Sequence, residues 1–139
     1  MRATDDQILD ISQDGGLVTA LLLFALESGL IDGAIVSGTS KETPLRPVPR
    51  LATTSKEILK SAGTRYSYSA NIFALSDMAS QKMKALAFVG TPCQIRAIRK
   101  MQIIGLKSVE NIRLLIGLMC SESFVYEALK RRVPSLIND

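Results

Sequence analysis

Three short, continuously apolar runs constrain this chain most: Gly33-Ala-Ile-Val-Ser37, Leu86-Ala-Phe-Val89 and Arg113-Leu-Leu-Ile-Gly-Leu-Met119, separated by segments with helix signals. A strand that is apolar at successive positions, and not only at alternate ones, is buried on both faces. Alternated with helices, such strands call for an α/β fold with a short, largely parallel or mixed sheet flanked by helices. The 139 residues, 47% hydrophobic, are expected to form one α/β domain spanning 1–139. In sheets of this kind ligands bind beyond the carboxyl ends of the strands.

The intervening segments carry recognisable punctuation. Thr4 to Ile11 reads as a short helix or irregular lead-in. Ser12-Gln13-Asp14-Gly15-Gly16 opens a helix from Leu17 to Ser28, and Gly29 ends it as the first residue past the cap. Thr39 to Pro49, with three prolines and no periodicity, reads as a loop, and Val48 to Thr53 as an edge strand. Thr54-Ser55-Lys56-Glu57 is a capping box for a short helix that Gly63 closes. Tyr66 to Ala70 is expected to be extended or turning and Ile72 to Lys82 helical. A further helix is expected from Pro92 to Met101, and a last one from about Glu122 to Arg132.

Chemistry concentrates at Gly90-Thr91-Pro92-Cys93-Gln94, where a strand feeds through a Gly turn into a helix. Thr91 suits the N-cap, Pro92 the first helical position, and Gln94 would complete a Thr-x-x-Gln capping box. Cys93 then falls in the first turn, where free N–H groups and the helix dipole favour a thiolate. Cys120 ends the last apolar run, so both cysteines are expected at the same edge of the sheet if their strands are neighbours. The pair could be metal or iron–sulfur ligands, a transient disulfide, or two buried structural thiols. Ser12 to Gly16 could admit a phosphate or a flat ring close to the backbone, or be an ordinary glycine-containing cap. Gly63-Thr64-Arg65-Tyr66 joins a cation to an aromatic that could clamp a diphosphate or stack on a ring; the plainer alternative is a helix C-cap followed by surface residues.

Composition excludes several classes. With no histidine, the chain offers no His-based triad, His-ligated zinc or His acid–base chemistry. The net charge of +4 points to an anionic partner, but no basic run is interleaved with aromatics, so nucleic acid is not expected. The longest apolar stretch, Leu17 to Leu26, is too short to span a bilayer. No cationic segment with a cleavage site opens the chain, and two cysteines make no disulfide scaffold, so a reducing, cytoplasmic location is expected.

Taken in order, Ser12-Gln-Asp-Gly-Gly-Leu-Val-Thr-Ala-Leu-Leu22, Gly29-Leu-Ile-Asp-Gly-Ala-Ile-Val36, Leu51-Ala-Thr-Thr54, Gly63-Thr-Arg-Tyr66, Gly90-Thr-Pro-Cys-Gln94 and Gly117-Leu-Met-Cys-Ser-Glu-Ser-Phe124 form a distinctive series. The chain resembles the N-terminal part of the coenzyme F420 hydrogenase/dehydrogenase beta-subunit family. The resemblance implies a flavoprotein module in which FAD exchanges a hydride with coenzyme F420 and a [4Fe–4S] cluster exchanges electrons with a hydrogenase, dehydrogenase or other redox partner subunit. It implies that Cys93 and Cys120 are two cluster ligands. Ser12, Gln13, Asp14, Gly15, Gly16, Thr19, Gly63, Thr64, Arg65, Tyr66 and Thr91 would belong to the flavin site. Family members supply a further C-x-x-C pair beyond this stretch, so the chain is expected to be a fragment with an incomplete ligand set, inactive alone. Self-association is compatible with the sequence. The competing readings are a non-catalytic interaction domain that keeps the fold and a Cys93/Cys120 thiol switch.

Overall fold

The computed structural model describes residues 1–40, 42, 46–78 and 83–132. In chain order these form α1 (Asp6–Ile11), α2 (Leu17–Glu27), β1 (Gly33–Thr39), β2 (Pro47–Ala52), α3 (Ser55–Lys60), α4 (Ala74–Met78), β3 (Leu86–Gly90), α5 (Pro92–Ile103), β4 (Ile112–Gly117) and α6 (Tyr126–Arg132). Single 3₁₀ turns lie at Asn71–Phe73 and Lys107–Val109. The sheet order is β2-β1-β3-β4. β1, β3 and β4 run parallel, and β2 pairs antiparallel with β1 at the edge. The mixed α/β layout expected from the apolar runs is therefore the one observed.

Alternate residues of the parallel strands feed two cores. Ala34, Val36, Ala87, Val89, Leu114 and Ile116 pack on one face beneath α2 and α3, with Leu22, Ala25 and Ile58. Ile35, Leu86, Phe88, Ile112 and Leu115 pack on the other, with Ala74 and Leu75 of α4 and Ile98 of α5. Coverage on both sides explains why the strand sequences do not alternate in polarity. Leu86 pairs with Ile112 but Ala87 with Leu114, so Arg113 is a surplus residue, a β-bulge. The bulge lets Ile112 and Leu114, two apart in sequence, face opposite cores.

Local signals account for the helix ends. Thr54 and Glu57 form the reciprocal capping box in full. Gly29 adopts φ +71° just past the Ser28 cap of α2, a conformation that favours glycine.

Several expectations need correcting. The strand in the 39–49 stretch begins at Pro47, and β1 itself runs to Thr39; residues 41 and 43–45 lie outside the described residues. Pro47 and Pro49 are two apart, so their missing N–H groups fall on the same side of an edge strand, where the ladder does not need them. The 72–82 helix is a 3₁₀ turn followed by the short α4, and residues 79–82 lie outside the description. β4 stops at Gly117, not Met119. The last helix begins at Tyr126, because the residues before it take another partner: Phe124 bridges in parallel to Ser67.

Candidate functional site

The carboxyl ends of β3 and β4 lie side by side, with Gly90 opposite Gly117 and the Leu118 amide donating to the Gly90 carbonyl at 2.9 Å. Cys93 opens α5 just past β3, and Cys120 lies just past β4; both are free and exposed. Exposure removes the buried structural thiol from the alternatives. Thr91 Oγ1 lies 3.1 Å from Cys93 Sγ, a hydroxyl–thiol contact at the helix start.

The expected Thr91–Gln94 capping box is absent: Thr91 makes no side-chain cap bond. Gln94 shares the inward stripe of α5 with Ile98 and is only 5% exposed, so its amide turns to the core and donates to the Ser69 carbonyl. This explains Gly90, where any Cβ would sit 2.9 Å from Gln94 Oε1 and 2.7 Å from Phe88 Cε1.

A second pair of loops meets this edge. Gln13 donates from Nε2 to the Tyr66 hydroxyl at 3.0 Å and accepts at Oε1 from the Thr64 amide at 3.2 Å. One side chain thus joins the 12–16 and 63–66 loops. Tyr66 continues the connection, its carbonyl accepting from the Phe124 amide at 2.9 Å. Through Phe124 the loops are tied to the segment that carries Cys120. Motifs far apart in sequence therefore share one end of the sheet.

The remaining expected site residues have more local roles. Ser12 is the C-cap of α1, its N–H bonded to the Leu9 carbonyl. Asp14 is exposed. Gly15 and Gly16 have φ +83° and +68°, and Gly16, without a side-chain bond, is the N-cap of α2. A Cβ on Gly15 would meet Arg2 at 2.9 Å, and one on Gly16 would collide with Ile8 Cγ2. Their bareness is thus needed by the chain's own packing. Thr19 is buried early in α2, and Gly63 turns with φ +89° beyond α3. Arg65 spends its guanidinium on α3, donating from Nη2 to the Ser61 and Ala62 carbonyls, the C-cap role weighed for this loop. Burial pushes its pKa below the ordinary value.

Two buried amides missed in the sequence organise this edge. Asn71, 2% exposed, donates to the Val89 carbonyl at 2.9 Å and accepts from the Ser37 and Ser69 hydroxyls at 3.1 and 2.7 Å. It links β1, β3 and the 66–70 segment, and Gln94 adds α5. For Gln94 the signal was present in its i, i+4 spacing from Ile98; for Asn71 no local signal exists.

The residues fit a flavin and an iron–sulfur cluster unequally. Tyr66 offers a half-exposed ring, and the neighbouring loops hold two buried polar atoms without partners, Ser12 Oγ and Arg65 Nε, as a polar ligand site would. A [4Fe–4S] cluster takes four thiolates. Among the described residues no group of three or more Cys, His, Asp or Glu converges, so they do not enclose a cluster by themselves.

Fold and edge together define a mixed α/β domain whose thiols and polar loops gather at the carboxyl ends of parallel strands. The chain belongs to the coenzyme F420 hydrogenase/dehydrogenase beta-subunit family: the family's N-terminal model matches residues 1–76 and its C-terminal model residues 83–136. It is 42% identical over 133 residues to the coenzyme F420 hydrogenase subunit beta of Methanothermobacter thermautotrophicus, covering 93% of this chain and 47% of that protein. The namesake subunit of Methanosarcina barkeri is 41% identical, covering 99% and 48%. A chain of the xenon-derivatised F420-reducing [NiFe] hydrogenase complex from Methanosarcina barkeri superposes with a TM-score of 0.88 at 39% identity, over 95% of this chain and 46% of that one. This chain therefore spans about half the length of the relatives it matches. Among the described residues no helix is long and apolar enough to cross a membrane.

Proposed function

We propose that this chain forms the flavin-binding edge of a cytoplasmic oxidoreductase that exchanges a hydride with coenzyme F420 and passes electrons to a hydrogenase, dehydrogenase or other redox partner subunit. The carrying observation is the Gln13 bridge, which joins the 12–16 and 63–66 loops beside the exposed thiols. FAD, when bound, supplies the conversion between hydride and single-electron transfer. The chain's own part is to hold and orient it. Tyr66 presents a half-exposed ring, Gln13 fixes that ring through its hydroxyl, and the Gly15–Gly16 turn lies next to Gln13 in the chain. Ser12, Asp14, Thr19, Gly63, Thr64, Arg65 and Thr91 complete the walls. On this reading Cys93 and Cys120 are two of four [4Fe–4S] ligands, the other two coming from outside these residues.

The test is an anaerobic FAD titration followed by desalting and a visible spectrum. Retained flavin bands, lost in Gln13→Ala, support the assignment. A colourless protein whose full-length counterpart is also colourless refutes it and favours an interaction domain that has kept the fold.

A further inference from the structure

The 66–70 segment crosses the carboxyl ends of the strands without belonging to a helix or strand. Such a segment drifts unless something holds it. Side chains supply the hold: Gln94 takes the Ser69 carbonyl, and the Ser69 hydroxyl donates to Asn71, which is anchored on Val89 of β3 and Ser37 of β1. Both amides are at least nine-tenths buried, at 5% and 2% exposure. Gln94 leaves Oε1 buried without a partner. A side chain chosen only to fill the core at this place would be apolar, since unpaired buried polar atoms are costly. The segment's other end carries Tyr66 and pairs with Phe124.

We infer that Gln94 and Asn71 are positioning residues: together they clamp the 66–70 segment over the strand ends and set where the Tyr66 ring stands relative to the Cys93 helix start. The clamp couples two parts of the edge, because Gln94 is the residue after Cys93. Any shift of the first turn of α5 is passed through Ser69 to Tyr66. The purpose given to the clamp, holding a wall of the flavin site, rests on the function proposed above; the clamp itself does not.

The test follows two amides in the full chain by hydrogen exchange. The Phe124 amide donates to the Tyr66 carbonyl and reports on the segment; the Leu86 amide donates to the Asn111 carbonyl at the opposite end of the sheet and reports on global stability. Gln94→Met keeps length and removes both polar atoms. It is expected to speed exchange at Phe124 by about tenfold beyond any rise at Leu86, and to weaken FAD binding by about tenfold, the effect of losing one buried hydrogen bond. Ser69→Ala, which cuts the hydroxyl link without touching α5, is expected to speed Phe124 about threefold and decides the matter should Gln94→Met not fold. An equal rise at both amides, or none at Phe124, overturns the clamp. Tyr66→Ala separates the two claims. If it leaves FAD affinity intact, the flavin site is wrong while the exchange result still judges the clamp. If Tyr66→Ala weakens FAD and Gln94→Met does not, the clamp does not serve that site.

Discussion

A methyl group at Gly90 has no space to enter. Its Cβ would lie 2.7 Å from Phe88 Cε1, 2.9 Å from Gln94 Oε1 and 3.2 Å from Gln94 Cβ. Phe88 is wholly buried and Gln94 nearly so, so neither can swing into solvent. Gly90 is not among the glycines with positive φ, and Gly90→Ala therefore tests packing without backbone strain. Overpacking alone costs about 1–3 kcal/mol. Displacing Gln94 would also break its bond to Ser69 in a dry environment, adding about 1–3 kcal/mol. The expected loss is about 2–6 kcal/mol, a large part of the roughly 5–15 kcal/mol that holds an ordinary domain folded. Equilibrium urea unfolding followed by circular dichroism measures it, with an unchanged slope marking a true stability change. Gly29→Ala is the control: nothing lies within 4 Å of its Cβ, and only the φ of +71° opposes it. That variant should lose about 1–2 kcal/mol. The packing argument fails if Gly90→Ala proves the milder of the two.

The α3 cap should show in acid. Glu57 accepts from Thr53 N, Thr54 N and Thr53 Oγ1, and the Thr53 backbone bond foremost holds its carboxyl below the usual range. A depressed folded pKa adds stability above the unfolded value and loses it as pH falls through the folded one; Glu57→Gln should flatten that acid limb of a stability–pH curve. Thr54→Ala should cost about 1 kcal/mol at neutral pH by thermal unfolding. Arg65→Met should lose about 0.5–1.5 kcal/mol from the α3 terminus and weaken FAD binding as well, and an unchanged affinity would show that the guanidinium serves only the C-cap of α3. Phe88→Ala should cost about 3–5 kcal/mol in chemical denaturation, and a loss near 1 would contradict its place at the centre of its core.

What was readable in the sequence was local. Gly29, the Thr54–Glu57 box and the strand-to-helix turn at Gly90 each announce themselves within a few residues, and the structure has all of them. What escaped depended on distant partners. Glu122 to Val125 read as the start of a helix because nothing nearby says that Phe124 will pair with Ser67. Gln94 fitted a capping pattern, yet its position on the stripe of Ile98 outweighed it: burial of that stripe decides where the side chain goes. Pro47 and Pro49 suggested a loop, although alternate prolines are tolerable on a strand's free side. At the candidate edge the motifs identified which segments matter. The Gln13 bridge and the Asn71 network, made by side chains more than thirty residues from some of their partners, required coordinates.

The surplus residue in β4 has a consequence for chain length. Arg113 is the extra residue between the Leu86–Ile112 and Ala87–Leu114 pairs. Excising it would make Ile112 and Leu114 adjacent, and adjacent strand residues face opposite sides, as these two already do. The register would become regular and every core residue of the strand would keep its face. Excising Leu114 instead would bring Arg113 opposite Ala87 and aim its guanidinium at the core beneath α2. Two deletions one position apart thus differ completely in outcome. β4 is tolerant of shortening at its entrance and intolerant beyond it, which places the freedom to change length at the end of the strand remote from Cys120.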